Sequence, residues 1–196
     1  THLGVSGSID SSDLDLSAAD RSKYIYLEGY LVTSPSARAA IIELKRYAES
    51  QGVSTAMTFS DPSMLEYFRD NINEVLGTGV DLLFCNEREL GLWAQTDDFE
   101  AAFTKAQDFA KKLVVTLGAK GALLFDGDRR IPIAPNAVNA IDTNGAGDMF
   151  AGAFLYGITN GMDFEAAGNL ASLASARVVS NFGPRLAPEE HAAILG

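Results

Sequence analysis

Short runs of β-branched and apolar residues alternate along this chain with longer stretches whose apolar positions recur at helical spacing. Tyr24-Ile25-Tyr26-Leu27-Glu28-Gly29 reads as a strand closed by a glycine turn. Residues 36–50 follow with Ala37, Ala40, Ile41, Leu44 and Ala48 on one helical face, and Gly52 stops that helix. The pattern then predicts a strand over 53–59, a helix over 65–76, a strand over 81–85 and a helix over 99–110. Two strands, 113–117 and 122–125, flank Gly118 and Gly121, and the last third reads as helical over 148–160, over 164–180 and in a short piece from Pro188. Strands alternating with helices imply right-handed crossovers, so the expected class is α/β: a mostly parallel sheet with helices on both faces, in three layers α/β/α. In such sheets ligands sit at the carboxyl ends of the strands. No internal repeat and no low-complexity linker interrupts the pattern.

Composition narrows this picture. With 196 residues, 47% of them hydrophobic and 21% charged, the chain can bury one sizeable core and reads as one domain. A net charge of −11 with no basic stripe argues against binding a nucleic-acid backbone, although a small anion can still be held by local dipoles. The single Cys85 excludes an internal disulfide and fits a reducing compartment. No apolar stretch approaches a membrane span and no signal-peptide pattern opens the chain, so the expectation is a cytoplasmic protein with no membrane partner.

The chemistry is concentrated between Asp142 and Ile158, where two carboxylates, a glycine-rich turn and an apolar helix start are joined. Gly145 and Gly147 allow positive φ and close backbone approach, and a helix opens near Asp148. Unpaired amides and the helix dipole at such a start favour phosphate or a developing oxyanion. Asp148 is then either a carboxylate beside an anion site or an N-cap that satisfies the first-turn amides. Asp142, six residues earlier, is not required for capping; it is either part of the site or a turn carboxylate. Other motifs are absent. There is no GxxxxGK[ST] sequence, Gly145-Ala146-Gly147 lacks a third glycine at dinucleotide-fold spacing, and His2 and His191, both near the termini, cannot build a triad or a zinc cluster. Cys85, Trp93, Leu90 and Leu92 read as core, and Met149 and Met162 carry no cofactor signal.

Asp142-Thr143-Asn144-Gly145-Ala146-Gly147-Asp148 followed by Met149-Phe150-Ala151-Gly152-Ala153-Phe154 resembles the C-terminal signature of the PfkB, or ribokinase-like, family of carbohydrate and nucleoside kinases. The resemblance implies phosphoryl transfer from ATP to an alcohol, with Asp148 as general base and the amides of Gly145, Ala146 and Gly147 as the anion hole. Thr116-Leu117-Gly118-Ala119-Lys120-Gly121 resembles the family's nucleotide loop, in which Thr116, Gly118 and Gly121 lie against the donor; by itself a strand, turn and strand with two glycines is more often only a hairpin. Asn86-Glu87-Arg88-Glu89 resembles the Asn-x-x-Glu motif, implying Glu89 acting through water on Mg2+ and Asn86 placing phosphates; a capping box is the plain alternative, and both can hold. Val178 to Pro184 closes a helix in the ordinary way with glycine and proline. By resemblance it faces Asp142, with Asp142 and Asn144 and the carbonyls of Val178, Asn181 and Gly183 around a monovalent cation, K+, and with Ser172 beside the adenine.

Tyr26-Leu27-Glu28-Gly29-Tyr30 and Thr58-Phe59-Ser60-Asp61-Pro62 are more similar to adenosine-kinase-type members than to ribokinases or fructokinases. The implied acceptor is a small-molecule sugar or nucleoside, and a homodimer is compatible. The resemblance covers nearly all of 1–196, which is expected to be the carboxy-terminal part of one kinase domain, incomplete at the amino terminus. Thr1-His2-Leu3-Gly4-Val5 resembles the strand by which the family's lid returns to the core, and the isolated fragment is expected to turn over little. Two other readings remain: a non-catalytic nucleotide-binding or regulatory module with the kinase fold, and a metabolite-binding α/β domain in which Asp148 is only a cap.

Overall fold

The computed structural model describes residues 4–195. They fall into two compact units, the first ending at Leu113 and the second beginning at Val114. The strands β1 (Tyr24–Glu28), β2 (Ser54–Thr58), β3 (Val80–Asn86), β4 (Ala110–Thr116), β5 (Ala122–Phe125) and β6 (Arg130–Ile133) are ordered in the sheet as in the sequence. The pairs β1–β2 and β2–β3 are parallel, and β5–β6 is antiparallel. The helices are α1 (Leu16–Asp20), α2 (Pro35–Ser50), α3 (Pro62–Leu76), α4 (Glu87–Ala94), α5 (Phe99–Gln107), α6 (Ala146–Thr159), α7 (Phe164–Val179) and α8 (Pro188–Leu195). This is the three-layer α/β/α class that the pattern predicts.

In the first unit the local chemistry sets the helix starts. Ser34 accepts from the Ala37 amide with Pro35 at the first helical position, and Asp61 accepts from the Ser63 amide with Pro62 in the same place. The second cap starts α3 three residues before the expected Leu65. Strand β3 carries the continuous buried run Leu82-Leu83-Phe84-Cys85, as a strand covered on both faces does. Asp81 ties neighbouring strands: its Oδ2 accepts from the Thr55 amide at 2.7 Å and its Oδ1 pairs with Lys111 Nζ at 2.7 Å. Burial opposes ionisation of Asp81, but Lys111 and the Thr55 amide outweigh it and hold the carboxyl below the usual range. Trp93 is core, as expected: its ring packs on Phe59 and Phe109, its Nε1 donates to Asn73 Oδ1 at 2.9 Å, and Lys105 Nζ lies over it at 5.2 Å.

In the second unit α7 packs on α6, β5 and β6. Its Gly168 leaves room for the sheet, since a Cβ there would lie 2.7 Å from Leu124 Cδ1 and Ile133 Cδ1. Several boundaries differ from the sequence reading. Helix α5 ends at Gln107, and Ala110-Lys111-Lys112 opens β4 instead of extending the helix, because pairing in the sheet overrides the helix propensity of Ala and Lys. Strand β6 has no counterpart in the pattern, and only the capping box read at Asn86 and Glu89 points to helix α4. Of the strand expected at the start of the chain, residues 1–3 lie outside the described residues, and Gly4–Ser8 is a 3-10 helix.

Candidate active site

Helix α6 begins one residue after a left-handed turn. Gly145 is its N-cap at φ 77°, and a Cβ there would lie 2.5 Å from the Pro184 carbonyl oxygen and 2.7 Å from its Cα. Only glycine fits. No side chain caps this helix; the Ala146 amide donates to the Thr143 carbonyl at 3.3 Å, and the Gly147 and Asp148 amides are left for a ligand or water. The helix starts at Ala146, two residues before the expected Asp148. Asp148 therefore occupies the third helical position and is not the cap. It is exposed, and its carboxylate makes no hydrogen bond or ion pair with any described residue. Gly147 corrects a second expectation. Its φ is not in the positive region, and a Cβ would meet nothing within 4 Å, so what this glycine leaves is open space beside the helix start.

The segments flanking α6 and α7 are tied together around Asp142. Its Oδ1 accepts from the Asn144 amide at 2.9 Å and its Oδ2 from the Gly183 amide at 3.1 Å. These two bonds, Asn144 first, hold the carboxyl below the usual range. The Val179 carbonyl accepts from the amides of Ile141 (2.7 Å) and Asp142 (3.2 Å), while the Val178 carbonyl accepts from the Asn181 amide (3.1 Å). Ser175 Oγ donates to the Ala146 carbonyl at 3.0 Å, which fixes the start of α6 on α7. Asp142, Asn144 and Gly183 are thus linked, while Asn181 bonds back to the Val178 and Arg177 carbonyls at the end of α7.

A cavity of about 620 Å3 opens beside this cluster. It brings together Thr116, Gly118, Gly121 and Ser172, four of the residues expected at the nucleotide, with Ala146 and Gly147 of the helix start. Between β4 and β5 the chain makes a 3-10 turn, Gly118–Lys120, with the Leu117 amide donating to the Gly121 carbonyl at 2.8 Å. Ser172 is buried, and its hydroxyl donates to the Ala134 carbonyl at 3.0 Å and accepts from Asn136 Nδ2 at 3.0 Å. Asp148 and Met149 face a second, mainly apolar cavity of about 510 Å3, also bordered by Tyr156, Arg185 and His191. The two cavities meet the chain at successive residues of the first turn of α6. Sequence reasoning missed Asn136, Pro184, Arg185 and His191 as site residues: Asn136 and Arg185 fall in no periodic segment or motif, Pro184 reads as part of a helix stop, and His191 as too near a terminus for a triad.

Asn86 and Glu89 lie in the first unit, at the end of β3 and the start of α4. They form a reciprocal capping box: Asn86 Oδ1 accepts from the Glu89 amide at 2.8 Å, and Glu89 Oε2 accepts from the Asn86 amide at 2.9 Å. Asn86 Nδ2 adds a bond to Glu89 Oε1 at 2.8 Å. Burial pushes the Glu89 carboxyl up to about 7 against the Asn86 amide, with the Asp61 charge adding to the rise. The Cys85 thiol is pushed up by burial and by Glu89, which leaves it inert. Among the described residues no group of three or more His, Cys, Asp or Glu side chains is placed to hold a metal, and no helix is long and apolar enough to cross a membrane.

A mostly parallel α/β sheet with an uncapped glycine-led helix start beside a cavity is a construction suited to an anion. The comparison with known families makes this specific. The model of the pfkB family of carbohydrate kinases matches residues 4–191, and the chain belongs to that family. It is 26% identical over 97% of its length to an adenosine kinase of Saccharomyces cerevisiae, of which it covers 59%. The crystal structure of adenosine kinase from Sinorhizobium meliloti superposes with a TM-score of 0.88 at 34% identity, over 95% of this chain and 58% of that one. An E. coli protein assigned as a candidate ribokinase II, solved in complex with ATP and magnesium, has the same fold, with a TM-score of 0.86 at 21% identity, over 96% of this chain and 63% of that one. The chain therefore spans less than two thirds of the length of each of these proteins, and its fold is ribokinase-like.

Proposed function

We propose that this chain is the nucleotide-binding and catalytic-base part of an ATP-dependent phosphotransferase acting on an alcohol group of a nucleoside or sugar. The observation that carries the reading is the start of α6, where an uncapped helix terminus and an unpartnered carboxylate meet two different cavities at adjacent residues. The donor nucleotide would lie in the cavity of Thr116, Gly118, Gly121 and Ser172, with its terminal phosphate toward the amides of Gly145, Ala146 and Gly147. The acceptor would approach from the Asp148 side. The hydroxyl oxygen then bonds to the γ-phosphorus, the bond to the bridging oxygen breaks with its electrons leaving on ADP, and the hydroxyl proton passes to Asp148. The helix-start amides stabilise charge on the moving group, so positioning and electrostatics do most of the work.

Glu89 and Asn86 fit the Mg2+ role implied by the resemblance poorly, because both Glu89 carboxylate oxygens and the Asn86 amide oxygen are engaged in the capping box. The linked Asp142, Asn144 and Gly183, together with Asn181, suit K+, which would stiffen the anion hole from behind; the Val178 carbonyl fits this role less well because it already accepts the Asn181 amide. The Tyr26–Tyr30 and Thr58–Pro62 segments favour a nucleoside such as adenosine over a free sugar, whereas overall identity does not separate the two, at 34% and 26% to adenosine kinases and 33% and 26% to sugar kinases. The test is ATP-dependent phosphorylation of pooled nucleosides and sugars by the intact protein, with Asp148→Asn alongside. Transfer confined to nucleosides is expected, and transfer to sugars alone would overturn the acceptor assignment.

A further inference from the structure

We infer that Asn136 reads the base of the donor nucleotide and selects a 6-amino purine over a 6-oxo purine, an inference that rests on the phosphotransferase reading above. Ser172 Oγ has one proton, and the Ala134 carbonyl 3.0 Å away can only accept, so that proton is committed to Ala134. Toward its other neighbour Ser172 offers only a lone pair. Asn136, 3.0 Å from that oxygen, must therefore present Nδ2, and the orientation of its amide is fixed by chemistry.

The other end of the amide, Oδ1, makes no hydrogen bond with any described residue. Asn136 borders the cavity that also holds Thr116, Gly118 and Gly121, and the neighbouring wall is apolar, with Val138, Ala140 and Val179. A flat ring entering there meets apolar surface and few polar side chains, among them the pinned Asn136 Oδ1 and Ser175 Oγ, whose proton is committed to the Ala146 carbonyl, the usual construction of a site that orients its ligand through few polar groups. A 6-amino group donates to that acceptor. A 6-oxo group sets lone pair against lone pair, and the amide cannot turn to relieve this without breaking the relay through Ser172 to Ala134. The loss of one neutral hydrogen bond corresponds to about tenfold in affinity.

The experiment is calorimetric titration of the intact protein with ATP, ITP and tripolyphosphate, ITP differing from ATP by its 6-oxo purine. Wild type is expected to prefer ATP by about tenfold. Asn136→Ala removes the acceptor and Ser172→Ala frees the amide to turn. Both are expected to bring the ATP-to-ITP ratio close to one while leaving tripolyphosphate affinity unchanged, which separates lost base recognition from a damaged fold. An unchanged ratio in Asn136→Ala, or no preference in wild type, would overturn the assignment. Failure of wild type to bind either nucleotide would instead overturn the phosphotransferase reading beneath it.

Discussion

Two residues of this chain have opposite relations to their surroundings. Glu89 is buried and fully engaged, whereas Asp148 is exposed and unengaged. Glu89 carries a pH signature whose sign follows from its raised carboxyl, at about 7 against an ordinary 4.5. Between those values the native state keeps a proton that the unfolded chain has lost, so stability falls as pH rises through this window. The size is on the order of 3 kcal/mol. Glu89→Gln is expected to flatten this part of the profile, as read from urea unfolding at pH 5 and pH 8; a variant that keeps the slope of wild type would place its origin elsewhere. Gly145→Ala is expected to destabilise by at least about 1 kcal/mol from the left-handed backbone alone, with the contact on Pro184 adding to it. Unchanged urea stability in this variant would contradict the geometry given for the turn.

At the scale of elements, the start of α6 trades stability for an open space. Gly147 sits in the first turn with nothing within 4 Å of where a Cβ would be, so Gly147→Ala is expected to stabilise the helix by up to about 1 kcal/mol while weakening nucleotide binding. A gain in thermal stability with unchanged ATP affinity would show that the space is not used. The elements were unequally legible in the sequence. Strands β1, β2 and β3 and helix α2 stand within two residues of the pattern, because their periodicity reports burial directly. Strand β6 is short and carries Pro132 in an antiparallel pair, so neither length nor alternation marked it. The start of α6 was misplaced because Asp148 is a good capping residue, whereas the cap that forms is a glycine selected by Pro184, distant in sequence and silent in any local pattern. The grouping of Thr116, Gly118, Gly121 and Ser172 was legible through the family resemblance alone, and Asn136 was not legible because its role depends on a relay across a fold.

At the scale of the whole molecule, the pfkB match over residues 4–191 and the ribokinase-like fold join the separate observations into one account. The acidic charge of −11 and the glycine-led helix start belong to different ranges: the first repels polyanions over nanometre distances, and on the proposed reading the second would hold one phosphate at contact. The central claim is that Asp148 removes the acceptor proton. It is tested most directly by single-turnover transfer of the γ-phosphate of ATP to adenosine by the intact protein and by Asp148→Asn, with ATP affinity measured on both. The expected result is a loss of at least ~100-fold in the transfer rate with ATP affinity retained, the lower edge of what a general base contributes. Transfer at a near-normal rate by Asp148→Asn would contradict the account.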